Sequence, residues 1–132
     1  MRIPVLTYHA STVGGHDYDN NDHVALAEDL RLIHDLGFRV IRMIDVIDHM
    51  LGRANHDLTN GVVLSCDDGC NLEVADVDYP GIGWQSSFLS ILKQAHADFG
   101  DQPNMTSFVI ADPNARQKMD EVCLYGQGWM SD

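Results

Sequence analysis

The sequence predicts an α/β domain of parallel strands alternating with helices, and three observations predict it. Four short runs rich in β-branched and aromatic residues (3–8, 38–43, 61–66 and 105–111) are separated by stretches with helical spacing. Strands and helices that alternate along a chain pack as a parallel α/β arrangement. The run Gly61-Val62-Val63-Leu64-Ser65-Cys66 reads as a buried strand.

Taken in order, residues 3–8 form a plausible first strand ending at His9, and residues 11–22 are a loop of glycine, asparagine and aspartate. Val24, Ala27, Leu30 and Ile33 then recur at helical spacing, and Leu36 is followed by Gly37 as a stop signal. Residues 38–43 are β-rich, and 44–51 read as a second helix with Ile44, Ile47 and Leu51 on one face. A polar stretch, 52–60, leads into the strand that ends in Asp67-Asp68-Gly69. Residues 70–85 show no periodicity, and Pro80-Gly81-Ile82-Gly83 breaks any helix there. Residues 86–99 are helical, with Phe88, Leu89, Leu92 and Ala95 on the buried side. A fourth strand at 105–111 precedes a short helix and loop containing Pro113, Gly126 and Gly128.

The 132 residues suffice for one domain with a real core, residues 1–132, and are too few for two. Twenty acidic residues against eight Lys plus Arg give a net charge of −12. A phosphate backbone or an anionic membrane requires a basic face, so this balance argues against both as partners. Neutral glycans, cationic amino sugars and metal ions remain compatible. No apolar run approaches the roughly 20 residues that span a bilayer, and the N-terminal stretch is too short and too soon polar for a signal peptide. Cys66, Cys70 and Cys123 have no two-residue spacing between any of them. They read as free thiols in a reducing compartment, with the cytoplasm as the expected location.

Asp67-Asp68-Gly69 is the most informative feature. Two adjacent carboxylates at the end of a buried strand lose hydration, and each raises the cost of ionising the other. Such a pair fits a site where a cation neutralises one member or where one accepts a proton; equally, Asp-Gly suits the turn that leaves the strand. Parallel sheets bind ligands at the carboxyl ends of their strands, which puts His9, Met43, Asp67, Asp68 and Asp112 at one edge. The 70–85 loop would lie over that edge, with Tyr79 and Trp84 able to stack on a sugar ring. The alternative for Trp84 is a plug at the mouth of the fold. Oxygen-bearing residues from Asp17 to Glu28 partly match a calcium loop, but its glycine position is Asp22. A solvated loop that caps the following helix is the stronger reading.

Pro4-Val5-Leu6-Thr7-Tyr8-His9, Gly37-Phe38-Arg39-Val40-Ile41, Ser65-Cys66-Asp67-Asp68-Gly69 and Thr106-Ser107-Phe108-Val109-Ile110 together resemble the N-terminal half of a polysaccharide deacetylase. These are the nodulation-type carbohydrate esterases. The resemblance implies a partial or distorted (β/α) barrel and hydrolysis of acetamido groups on amino sugars. It further implies Asp67 as general base and Asp68 as ligand to a divalent metal, usually zinc, together with two histidines. His9 corresponds to a pocket-lining residue. A metal of that kind lowers the pKa of bound water from 15.7 to about 7, and a neighbouring carboxylate can then take the remaining proton.

The chain departs from the pattern in three ways. Ser65-Cys66 stands where the family more often has Thr-Phe, and Cys70 where it has Pro. The block carrying the family's two metal histidines has no counterpart here, nor do its later arginine and later histidine. Barrels of this kind typically need about 200 residues or more, so the expectation is an incomplete domain. Its open sheet edge would favour a homo-oligomer. Two functions stay open: a metal-dependent carbohydrate de-N-acetylase-like domain, inactive or not as this chain, and a non-catalytic glycan- or metal-binding remnant of the same fold.

Overall fold

The structure, a computed structural model, describes residues 1–130. The order is β1 (Val5–Tyr8), α1 (Asp22–Asp35), β2 (Arg39–Val40), α2 (Met43–Met50) and β3 (Gly61–Asp68). A short 3-10 turn (Asn71–Glu73) and a hairpin, β4 (Val77–Tyr79) and β5 (Gly83–Gln85), come next. The chain ends with α3 (Phe88–Phe99), β6 (Thr106–Val109) and α4 (Pro113–Cys123).

β3 is the hub of the sheet. It pairs in parallel with β1 over Val63–Cys66, with β2 at Gly61–Val62, and with β6 over Ser65–Asp68. β1 and β6 overlap on β3 at Ser65 and Cys66, so they flank it on opposite edges. The expected α/β class and parallel pairing are therefore present. Among the described residues the sheet is open rather than closed into a barrel.

Successive side chains of a strand point to opposite faces, and the two faces of this sheet have different fates. Val62, Leu64 and Cys66 join Tyr8, Leu26, Leu30, Leu72 and Phe88 in the main core beneath the helices. On the other face Val63 belongs to a small separate cluster with Ile41 and Leu58, edged by Ile3, Met43 and Val46. Further along that face, Thr7 and Ser65 hydrogen-bond to each other (2.8 Å). Phe108, whose register partner is Asp67, is 53% exposed there. Parallel sheets are ordinarily covered on both sides; the face carrying Asp67 is covered only toward its base.

The helices start where their caps dictate. The Asn21 carboxamide accepts the His23 and Val24 amides at the start of α1, which agrees with a capping loop at 11–22. The Ser87 hydroxyl accepts the Ser90 amide, and Gly100 (φ 77°) closes α3. Asp112 caps α4, with Pro113 at its first position.

Two expectations are corrected. The β-rich run 38–43 yields only two strand residues, because β2 meets β3 at its first two positions and Arg42 already caps α2. The 70–85 stretch is ordered into the 3-10 turn and the antiparallel hairpin.

Candidate active site

The tips of β1, β3 and β6 bring together one part of the expected constellation. His9, immediately after β1, places its Nε2 3.2 Å from Asp67 Oδ2, and both side chains are about half exposed (46% and 42%). The approach follows from the parallel register, which sets Tyr8 opposite Cys66 and so His9 beside Asp67. The His9 backbone is fixed in turn by Asp22, whose carboxylate accepts its amide at 2.6 Å. An imidazole against a carboxylate at an open rim can accept, hold and pass on a proton.

Asp68 adopts φ 84° and Gly69 φ 74°, two consecutive left-handed residues where the strand breaks. Asp tolerates this region better than most side chains. At Gly69 a side chain would be obstructed as well, since a Cβ there would lie 2.7 Å from Val109 Cγ1. The turn is held by groups that nothing in the sequence marks. The Arg116 guanidinium, reaching from α4, donates to the carbonyls of Asp68 (3.2 Å), Gly69 (2.9 Å), Ile110 (3.1 Å) and Met130 (2.8 Å). The buried Glu73 carboxylate accepts the Gly69 amide (2.9 Å) and the Ser107 hydroxyl (2.8 Å). These contacts stiffen the peptide on which both aspartates ride.

The neighbouring thiols are kept protonated. Burial, reinforced by the Glu73 charge, pushes Cys66 up to about 12, and burial pushes Cys70 up to about 11. Cys66, Cys70 and Cys123 are all free.

The remaining expected site residues are engaged elsewhere or differ in exposure. Asp112 spends its carboxylate on the Asn114 amide (2.9 Å) as the cap of α4. Tyr79 is 4% exposed and stacks on Trp129 with ring centroids 5.5 Å apart. Trp84 is 67% exposed. The hairpin register explains the contrast: Tyr79 pairs with Gly83 on the core side, whereas Trp84 pairs with Asp78 on the outer side. Met43 is not at the rim, because β2 joins β3 at its start and leaves Met43 packed in the cluster around Ile41 and Leu58.

The metal set implied by the resemblance, one aspartate with two histidines, does not fit the residues present. Among the described residues no three His, Cys, Asp or Glu side chains converge on a point that could hold an ion. His9 faces Asp67, and the ring of His23 is engaged by two backbone carbonyls. No helix among them is long and apolar enough to cross a membrane.

No protein-family model and no curated protein matches the chain. Solved structures to which it is similar include a de-N-acetylase and a polysaccharide deacetylase. A de-N-acetylase from Aggregatibacter actinomycetemcomitans aligns with 80% of this chain at 15% identity and a TM-score of 0.41. A polysaccharide deacetylase from Bacillus cereus aligns with 83% at 14% identity and a TM-score of 0.36. The chain spans 53% of the first structure and 39% of the second.

Proposed function

We propose that residues 1–132 form part of a carbohydrate de-N-acetylase-like domain in which Asp67 is the general base and His9 its partner at the pocket wall. The observation that carries this reading is the His9–Asp67 pair, 3.2 Å apart at the rim where the parallel strands end. The rigid Asp68-Gly69 turn supports it. The substrate class is an acetylated amino sugar, and the exposed Trp84 offers it an apolar ring face. Asp68 would be one ligand of a divalent metal, zinc in the resembled family. The other ligands, and the strands that would close a barrel, would come from outside the described residues or from a second copy paired along an open sheet edge. The buried free thiols suit the cytoplasm.

A second reading, a non-catalytic glycan- or metal-binding remnant, is favoured by one observation: no three-ligand cluster exists among the described residues. Hydrolysis of an acetylated amino-sugar oligomer by the native protein and by Asp67→Asn separates the two. Loss of a positioned general base is expected to slow hydrolysis by about 10²–10⁴-fold. Hydrolysis unchanged by the substitution removes Asp67 from that role. Oligomer binding without hydrolysis in either protein establishes the remnant.

A further inference from the structure

His23, the second residue of α1, is 4% exposed, and both of its ring nitrogens face backbone carbonyl oxygens. Nδ1 lies 2.7 Å from the Ser86 oxygen and Nε2 lies 2.8 Å from the Ala10 oxygen. Carbonyl oxygens only accept. A neutral imidazole has one donor and one acceptor nitrogen, so it would set a lone pair against one of the two oxygens at hydrogen-bond distance. Both contacts are bonds only when both nitrogens carry protons.

The charged group that acts on this ring from another element is the Asp76 carboxylate, which precedes β4. Asp76 is held below the usual carboxylate range chiefly by the Ser87 amide and Ser90 hydroxyl, with a smaller contribution from His23. On its own helix His23 is flanked by Asp22, which is engaged with the His9 amide. The Phe88 ring from α3 packs against the imidazole at 4.7 Å between centroids. A buried histidine with both ring nitrogens against carbonyl oxygens is the kind of element from which pH-responsive contacts are built.

We propose that His23 is a proton-operated clasp. As imidazolium it ties Ala10, the residue after His9, to Ser86 at the entrance of α3. When rising pH removes one ring proton to solvent, one of the two ties is lost and the loop between β1 and α1 loosens. This does not depend on what the His9–Asp67 pair does.

The test uses the intact protein with nitrogen-15-labelled histidine, at about pH 5.5 and about pH 8.5, on either side of the range in which histidine ordinarily changes charge. The His23 ring is expected to show two protonated nitrogens at the lower pH and one at the higher. The amides of Thr12 and Asp22, which bond the His9 and Thr12 carbonyls, report the loop. Their exchange is expected to rise by about 10–100-fold relative to the Val63 amide of β3, the effect of losing one charge-assisted hydrogen bond. His23→Gln should abolish that pH-dependent difference, and His9→Gln should leave it in place. A single neutral tautomer at the lower pH overturns the clasp. So does loop exchange that tracks Val63 at both pH values, and the native protein alone decides both points.

Discussion

Substitution of Gly69 by alanine tests whether the aspartate-bearing turn is rigid for the reasons given. Two costs act at this position. A left-handed φ costs a non-glycine residue about 1–2 kcal/mol, and Gly69 sits at φ 74°. An added Cβ would also stand 2.7, 3.0 and 3.1 Å from Val109 Cγ1, Cγ2 and Cβ, and overpacking of that kind costs about 1–3 kcal/mol. Val109 is 60% exposed and its methyls can turn aside, so the lower part of that range applies and the total is about 2–4 kcal/mol. In urea this lowers the unfolding midpoint by about 1–2 M. Gly37 provides the control: it has the same φ of 74° but nothing within 4 Å of its Cβ position. Gly37→Ala should therefore show the backbone cost alone. Adding Val109→Ala to Gly69→Ala should recover about 1 kcal/mol of coupling. Equal midpoints for Gly37→Ala and Gly69→Ala, or no coupling with Val109, would refute the steric half of the reasoning.

Other outcomes follow from the same geometry. Arg116→Lys keeps the charge but loses the planar fork that reaches four carbonyls, and is expected to cost about 2–3 kcal/mol by thermal or urea unfolding. In the native protein the exposed Cys123 should react with a thiol reagent at least about 100-fold faster than the buried Cys66 and Cys70, which react once the chain unfolds. Because folding raises those two thiols to about 12 and about 11, their contribution to stability is complete below the unfolded value of roughly 8.5. It is lost as pH rises from there toward the folded values, so the urea midpoint should fall above about pH 8.5. Tyr8 is raised in the same sense by burial and by its 2.6 Å bond to Asp29. Its phenol should stay un-ionised in an ultraviolet alkaline titration until the protein unfolds, and Tyr8→Phe should cost about 1 kcal/mol.

Much of the fold was legible because its strands and longer helices carry their own patterns. The run from Gly61 to Cys66, the i, i+3 recurrence from Val24 to Ile33 and the Leu36-Gly37 stop all correspond to elements within a few residues. The hairpin was not legible. Three-residue strands are too short to show alternation, and Pro80-Gly81 announces a break without saying that Val77 and Gln85 pair across it. The length of β2 depends on where β3 begins, a non-local fact. For the site, the order of strand ends was enough to expect His9, Asp67 and Asp68 at one edge, but that His9 faces Asp67 in particular was not legible. Arg116 and Glu73 were invisible, since one lies on a polar helix and the other in an aperiodic stretch, and only the folded path points them at the Asp68-Gly69 turn. Tyr79 shows the complementary failure: composition marks an aromatic ring, but register decides whether it meets a ligand or the core.

That β3 is the hub of the whole parallel sheet bears on how the chain is made. β1, β2 and β6 each bond β3, and among the described residues none bonds another. The first strand therefore leaves the ribosome with no mate, and 58 residues separate contacts such as Thr7–Ser65. At about 5–20 residues per second that is a wait of roughly 3–12 s. During it Val5 and Leu6 are exposed to any passing strand, and the nascent chain is most in need of a chaperone before residue 68 emerges.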